Sequence, residues 1–592
     1  MALPLSGEIA HLVADALALD PREVAPLLGA PPQASMGDYA LPCFALAPRL
    51  GKDPKSLARE LESRLAAGGA IKEARAAGPY LNIRVSTEAL AREVLGGIVR
   101  AAEVGRPYAA TDECAGKTVV IEYSSPNIAK PFGIGHLRST VIGNSLARLY
   151  AAAGCRVVRL NYLGDWGTQF GYLLANWRLA GDEARLEKEG VDYLVELYKD
   201  ATEKAGRTID SPLELERLGN YAPAGTPTFA EVAACAFKAL ERGDEESRKN
   251  WQRFRDVSLR EFQRVYDLLG VSFDSFDGEA ATQPSIPAAV ERLRTSGLLE
   301  ESEGAQVVRL GLGENVPPAM ILKSDGATTY LARDLAAVLD RWERYRFERC
   351  VYVVGRDQEL HFRQLFRVLE LMGLDWAARC VHVPFGMIRF GGEKMRTRKG
   401  TSVLLGDVLA RAFEELGRIV ETRKKGGTLD EAAQRAADRA VAIGAVIFAD
   451  LSRRRIKDFD FDWETAFSLE GDSGPYLQYA HARAVGILKK AGRTPPRDAD
   501  LSLLSSEAER ELVMALGRYP DAVARARSAN EPSILGSHLV EIGRALNQFY
   551  NACRVLGSER GLEDARLLLV SCARTVLAEA LGMLGIAAPE AI

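Results

Sequence analysis

The sequence has no run approaching the ~20 consecutive apolar residues that span a bilayer, so no transmembrane helix is expected and no membrane partner. Its N-terminus, MALPLSGEIAHLVADAL, lacks a basic head before an apolar stretch and reads as an amphipathic helix; no signal peptide is expected. The eight cysteines form no C-x-x-C pair, which argues against structural zinc and against a disulfide framework, and suits a reducing cytoplasm. Cys350 and Cys380 stand in apolar runs, where cysteine serves as a small buried hydrophobe. A marked excess of one charge sign is missing too. A net charge of −4 neither suggests nor excludes a nucleic-acid partner, because RNA binding depends on local basic surface. No internal repeat is present. At 592 residues, 47% hydrophobic and 26% charged, the chain is an ordinary globular protein of several domains.

Residues 1–112 read as a small α+β domain, with helical patterns near 5–18 and 55–67 and a strand-like GPYLNIRVS at 78–86. After the linker RPYAATDECAGK (106–117), the apolar strand TVVIEYSS (118–125) opens a second domain, expected over 113–405. That strand leads through a loop ending in Gly-Ile-Gly-His to a helix stopped by Gly154, then to CRVVRLNYLG (155–164). Strand, crossover helix and strand predict a parallel sheet with helices on its faces. CVYVVG (350–355) and CVHVPFGMI (380–388) are further strand candidates around a helix. Residues 172–262 read as a helical insertion, and 406–592 as all-helical, with a linker at RTPPRDADLS (493–502).

Gly135 and His136 open the helix after the first sheet strand. Exposed N–H groups and the helix dipole favour phosphate there, and an imidazole can donate to a phosphate gaining charge. A tight turn with a capping histidine accounts for the same residues. Open α/β sheets, however, bind ligands at the carboxyl ends of their strands. SPNIAKPFGIGHLRST (125–140) resembles the HIGH region of class I aminoacyl-tRNA synthetases in its arginine-specific form, and NYLGDWGTQFG (161–171) resembles the same family. The resemblance implies a Rossmann-type catalytic domain, an N-terminal added domain against the tRNA elbow, and a C-terminal DALR-type anticodon-binding bundle. It assigns Gly133, Gly135 and His136 to ATP. Gly133 stands where the family has the first histidine, and Lys130 is a candidate substitute.

A second phosphate site is expected in GGEKMRTRKGTSVLL (391–405), where Lys394, Arg396, Arg398 and Lys399 put four cations within six residues. Such a loop closes on a triphosphate and stabilises departing pyrophosphate, or is simply solvated. It resembles the family's KMSKS loop, which assigns Met395, Thr397, Arg398 and Lys399 to ATP. Backbone groups at Met387 and Ile388 would bracket the adenine. With His136 and Lys130, Arg398 and Lys399 are the catalytic candidates.

Guanidinium recognition needs fixed carboxylates and neutral acceptors in a dry pocket. Tyr330 and Asp334 share a helix face in TTYLARDLAAVLDRWERY (328–345), Gln358 follows a strand, and Glu279 precedes a helix. Each also has an ordinary structural reading: Asp334 could cap or pair with Arg333 or Lys323, Tyr330 could be core, and Gln358 and Glu279 could be surface residues. The resemblance assigns Asn127, Glu279, Tyr330, Asp334 and Gln358 to arginine.

In the C-terminal region Tyr476, Tyr479 and Arg483 fall on one helix face, able to stack on splayed-out RNA bases or to serve as core. By resemblance these three, Tyr550 and Ile592 approach the anticodon of tRNA(Arg). The implied reaction uses L-arginine, ATP and its Mg²⁺, and then tRNA, with no metal held by the protein itself; the protein is expected to be a monomer. The alternative is a catalytically silent tRNA-binding paralogue, suggested by Gly133 and the irregular basic loop.

Overall fold

A computed structural model describes residues 4–65, 68–313, 316–389, 404–423 and 430–592. The chain divides into two compact units, one of Glu113–Glu414 with Arg455–Asp462, the other of Met1–Asp112, Glu415–Arg454 and Trp463–Ile592.

In the second of these, β1 (Tyr39–Pro42), β2 (Ile71–Ala77) and β3 (Tyr80–Val85) form an antiparallel sheet in the order β1-β3-β2. Ser86 caps the helix Thr87–Glu103, whose Leu90, Val94, Leu95 and Ile98 are buried. This helix packs on the C-terminal helices Glu507–Gly517 and Arg560–Met583. Asp38 accepts the Val85 N–H at 2.8 Å and pairs with Arg510, joining the N-terminal sheet to that bundle. The stretch 493–502, expected as a linker, lies wholly within this unit, and Arg493 pairs there with Glu563 and Asp564.

The other unit is the expected α/β domain. Strands β4 (Thr118–Glu122) and β5 (Arg156–Leu160) precede a small antiparallel sheet of β6 (Glu300–Ser302), β7 (Ala305–Val308) and β8 (Ala319–Leu322). Strands β9 (Arg349–Tyr352) and β10 (Cys380–His382) complete a parallel sheet ordered β10-β9-β4-β5. Val119, Val120 and Ile121 are buried, as a central parallel strand requires. The crossover helix Ile134–Ala152 lies so close to Tyr123 that a Cβ at Gly143 would run into its ring. Six helices, from Gln169–Ala180 to Glu245–Leu269, fill the interval before the next part of the sheet.

Three features differ from expectation. The stretch 380–388 is two strands, β10 and β11 (Ile388–Arg389), because Pro384 interrupts the ladder. Residues 455–462, expected within a helical region, form β12 (Phe459–Asp460), which pairs in parallel with β11. Finally, Cys114 and Cys155 are joined as a disulfide with their Cα atoms 4.7 Å apart, where no disulfide was expected. The pairing of Lys117–Arg156 at the start of β4 and β5 brings these distant cysteines together, which sequence spacing does not reveal.

Candidate active site

A cleft of about 740 Å³ opens at the carboxyl ends of β4 and β9. It is lined by Asn127, Gly135, His136, Gln358, Met387 and Ile388, so residues from four separated segments meet there. The loop leaving β4 is held in an unusual conformation: Ser124, Ser125 and Ala129 have φ of 72°, 47° and 57°. Their N–H groups are fastened individually. Ser139 Oγ accepts Ser124 N at 2.9 Å, Asn161 Oδ1 accepts Ser125 N at 3.1 Å, and Ser258 Oγ accepts Ala129 N at 2.9 Å. Asn161 is itself held by Tyr266, its Nδ2 donating to the hydroxyl at 2.8 Å. Ser258 and Tyr266 belong to the helix Glu245–Leu269, so this helix braces the loop that carries Asn127.

Gly133 is the N-cap of the helix Ile134–Ala152, and no side chain caps it. Gly135 and His136, in its first turn, line the cleft, and the His136 N–H donates to the Gly133 carbonyl at 3.0 Å. His136 is half-buried and its Nδ1 has no hydrogen-bond partner among the described residues. Burial lowers its pKa, with the Gly133 backbone opposing and the charge of Lys130 adding to the fall, which favours a neutral imidazole. Lys130 is exposed.

The two adenine candidates differ. Asp458 Oδ1 accepts the Met387 N–H at 2.7 Å, and the Met387 carbonyl accepts Phe459 N–H at 3.1 Å. Both backbone groups of Met387 are thus turned to segment 455–462. Phe461 N–H reaches the Arg389 carbonyl at 2.7 Å, so the backbone of Ile388 faces away from β12. Arg138, fully buried in the crossover helix, donates to the carbonyls of Gly386 at 2.7 Å and Lys457 at 3.0 Å and packs over Phe459. Lys394, Met395, Arg396, Thr397, Arg398 and Lys399 lie outside the described residues. The chain returns at Leu404, whose backbone bridges Gly133, and Leu405 N–H donates to the Phe132 carbonyl at 3.0 Å.

The carboxylate candidates surround the first turn of the helix Tyr330–Tyr345. Glu279 begins the short helix Glu279–Thr282; its Oε2 lies 3.5 Å from Arg333 Nη1. The Arg333 guanidinium sits 5.2 Å from the centre of the Tyr330 ring, and Tyr330 is 69% exposed. Burial pushes the Glu279 carboxyl up to about 7, with Arg333 opposing and Asp334 adding to the rise. Asp334 pairs with neither Arg333 nor Lys323. Its Oδ2 is 2.5 Å from Nε2 of His361, on the helix Glu359–Leu371 that follows Gln358. Beneath them Glu122, buried at the end of β4, pairs with Arg341 at 2.5 Å.

In the helical unit, Tyr476, Tyr479 and Arg483 on the helix Gly474–Ala491 and Tyr550 on Ser533–Ala552 line one cavity of about 520 Å³. The Arg483 guanidinium lies 4.8 Å from the Tyr479 ring and 4.7 Å from that of Tyr550, and donates to Asn547 Oδ1 at 2.9 Å. Ile592 is not part of this cavity. The tail before it is fastened to the opposite helix face, Gln478 donating to the Ala587 carbonyl at 2.8 Å and His481 Nδ1 lying 3.0 Å from that of Pro589.

Residues 104–463 match the family model "tRNA synthetases class I (R), catalytic domain", 477–592 match "DALR anticodon binding domain", and 5–85 match "Arginyl tRNA synthetase N terminal domain". The chain belongs to the arginyl-tRNA synthetases. It is 41% identical over 581 residues to the arginine–tRNA ligase of Clostridium beijerinckii, covering 98% of each chain. To that of Halothermothrix orenii it is 39% identical, over 97% of this chain and 96% of the relative. Among solved structures it is similar to the Thermus thermophilus arginyl-tRNA synthetase, with a TM-score of 0.78 at 29% identity over 99% of this chain and 100% of the other.

Membership gives the cleft a family context, yet several side chains that brace it were not singled out in the sequence. Asn161 stood in a family-like motif without an assigned role, and Ser258, Tyr266 and Asp458 act through contacts between distant segments. Arg333 and His361 were nearer to view: each lies within three residues of a predicted ligand.

Proposed function

We propose that the chain activates L-arginine with ATP and transfers it to the 3′-terminal ribose of tRNA(Arg). The observation that carries this reading is the single cleft gathering Asn127, His136, Gln358 and Ile388. Adenine sits against the Ile388 backbone, and the triphosphate meets the open helix end at Ile134–His136. The arginine carboxylate attacks Pα, pyrophosphate departs, and His136 donates to the phosphate as charge grows. Lys130, Arg398 and Lys399 supply positive charge. The guanidinium is held by Glu279, Tyr330, Asp334 and Gln358, and the α-amino group by Asn127. Among the described residues that line the cleft Asp357 is the carboxylate, and Mg²⁺ would arrive with the triphosphate. Tyr476, Tyr479, Arg483 and Tyr550 stack on anticodon bases; Ile592 would need the tail to approach them.

Positioning and electrostatics supply the acceleration, as among the described residues no side chain at the cleft is arranged as a nucleophile with its base. The test is aminoacylation of tRNA(Arg) with labelled arginine. Acid-precipitable arginine with release of AMP and pyrophosphate is expected; tRNA binding without product would identify a silent paralogue.

A further inference from the structure

We propose that His361 is a positioning residue for arginine specificity, orienting the Asp334 carboxylate through one oxygen and reserving the other for the substrate guanidinium. The inference rests on the reading of Asp334 as a guanidinium ligand. Nε2 of His361 and Oδ2 of Asp334 are 2.5 Å apart, with side-chain exposures of 22% and 28%. The contact is therefore partly shielded from water without being sealed from a ligand.

The two carboxylates around this helix turn are held by different partners. Glu279 faces a cation of the chain itself, Arg333. Asp334 faces an imidazole, which when neutral offers one N–H and no charge. A lysine or arginine in that place would neutralise Asp334 and compete with the substrate for it. An N–H donor held at one oxygen fixes the carboxylate plane and leaves the other oxygen for the ligand.

The surroundings fix the imidazole in turn. His361 lies in the first turn of the helix that begins after Gln358, so one turn presents a proposed ligand and the group that orients another. Its ring stands edge-on to Phe362 at 5.5 Å. The charged and titratable groups nearby are Glu122 with its partner Arg341, Glu359 on the same helix, and His382 on β10. Because Glu122 is already paired with Arg341, Asp334 remains the acceptor for His361.

The test is steady-state arginine-dependent ATP–pyrophosphate exchange, with tRNA present, on the full chain carrying His361→Ala, His361→Gln, His361→Lys, Asp334→Asn or the double change His361→Ala with Asp334→Asn. Removing a hydrogen bond to a charged group should raise the arginine KM about 10- to 100-fold in His361→Ala, with kcat and the ATP KM nearly unchanged. His361→Gln, which offers a side-chain N–H in place of the imidazole, should restore KM to within about threefold of the unmodified protein. His361→Lys should be worse than His361→Ala, since its cation takes the charge of Asp334. The double variant should be no worse than Asp334→Asn alone. An unchanged arginine KM in His361→Ala, or a Gln variant no better than Ala, overturns the proposal while a steep KM rise in Asp334→Asn leaves the pocket reading standing. An unchanged KM in Asp334→Asn overturns the pocket reading itself.

Discussion

Arg333 turns its guanidinium onto Glu279, Nη1 lying 3.5 Å from Oε2 with the Tyr330 ring alongside. A guanidinium of the chain thus already occupies one arm of the proposed arginine pocket. The contact is long, and the burial that surrounds it raises the Glu279 carboxyl to about 7. A substrate guanidinium binds the carboxylate form, so binding competes with a proton. Above pH 7 the carboxylate is available; below it, the group is increasingly protonated and affinity falls. Between pH 8 and pH 6 the ionised fraction of such a group drops roughly tenfold, and the arginine KM should rise by about that factor. Initial rates of pyrophosphate exchange across this range check it. Glu279→Gln should have a high KM with this component of the pH dependence gone; a Glu279→Gln profile that matches the unmodified one removes Glu279 from the pocket.

His136 presents an imidazole whose Nδ1 is buried without a partner among the described residues. His136 also lines the cleft at the start of its helix, where an imidazole can donate to a bound phosphate. His136→Ala is expected to lower the activation rate by ~10²–10³, the cost of losing one transition-state donor. tRNA affinity, measured by filter binding, should hold. An equal loss of tRNA affinity would make His136 a structural residue.

At Gly133 the backbone is extended, with φ −81° and ψ 158°, and among the described residues an added Cβ would meet only His136 Nδ1 at 4.0 Å. A histidine there is sterically tolerated at its first carbon. Lys130→Ala should therefore cost more activity than Gly133→His gains, because Lys130 already supplies a cation beside His136. Full activation in Lys130→Ala, measured by single-turnover adenylate formation, would show that Gly133 needs no substitute.

Arg483 lies between Tyr479 and Tyr550, within 4.8 and 4.7 Å of their ring centres, and its position is fixed by Asn547. Replacing Tyr479 by alanine removes a stacking surface worth ~1–3 kcal/mol per base, roughly 5- to 150-fold in tRNA affinity. The arginine KM for activation at saturating tRNA should stay the same. Unaltered tRNA affinity in both Tyr479→Ala and Arg483→Ala would return these side chains to a packing role.

How far the molecule can be read from sequence depends on whether its signals are local. The strand–turn–helix around His136 was legible because apolar runs, glycines and helical spacing are properties of neighbouring residues. The parallel sheet followed from the same signals. The end of β4 was placed too late, since Ser124 and Ser125 adopt positive φ with their N–H groups donating to Ser139 and Asn161. β12 was invisible because two residues in an otherwise helical region acquire strand geometry only by pairing with β11. The same holds at the pocket. Asp334 could be singled out by its spacing from Tyr330, but its choice of His361 over Arg333 depends on how two helices pack. Met387 and Ile388 looked equivalent until Asp458 took the N–H of one of them.

The most direct measurement is ATP–pyrophosphate exchange with each of the twenty amino acids in turn, with and without tRNA(Arg). Exchange dependent on arginine alone, with lysine and glutamine inactive, is the predicted result, and tRNA should be needed or strongly stimulatory. Exchange supported by another amino acid, or none with arginine in the presence of tRNA, would contradict the account.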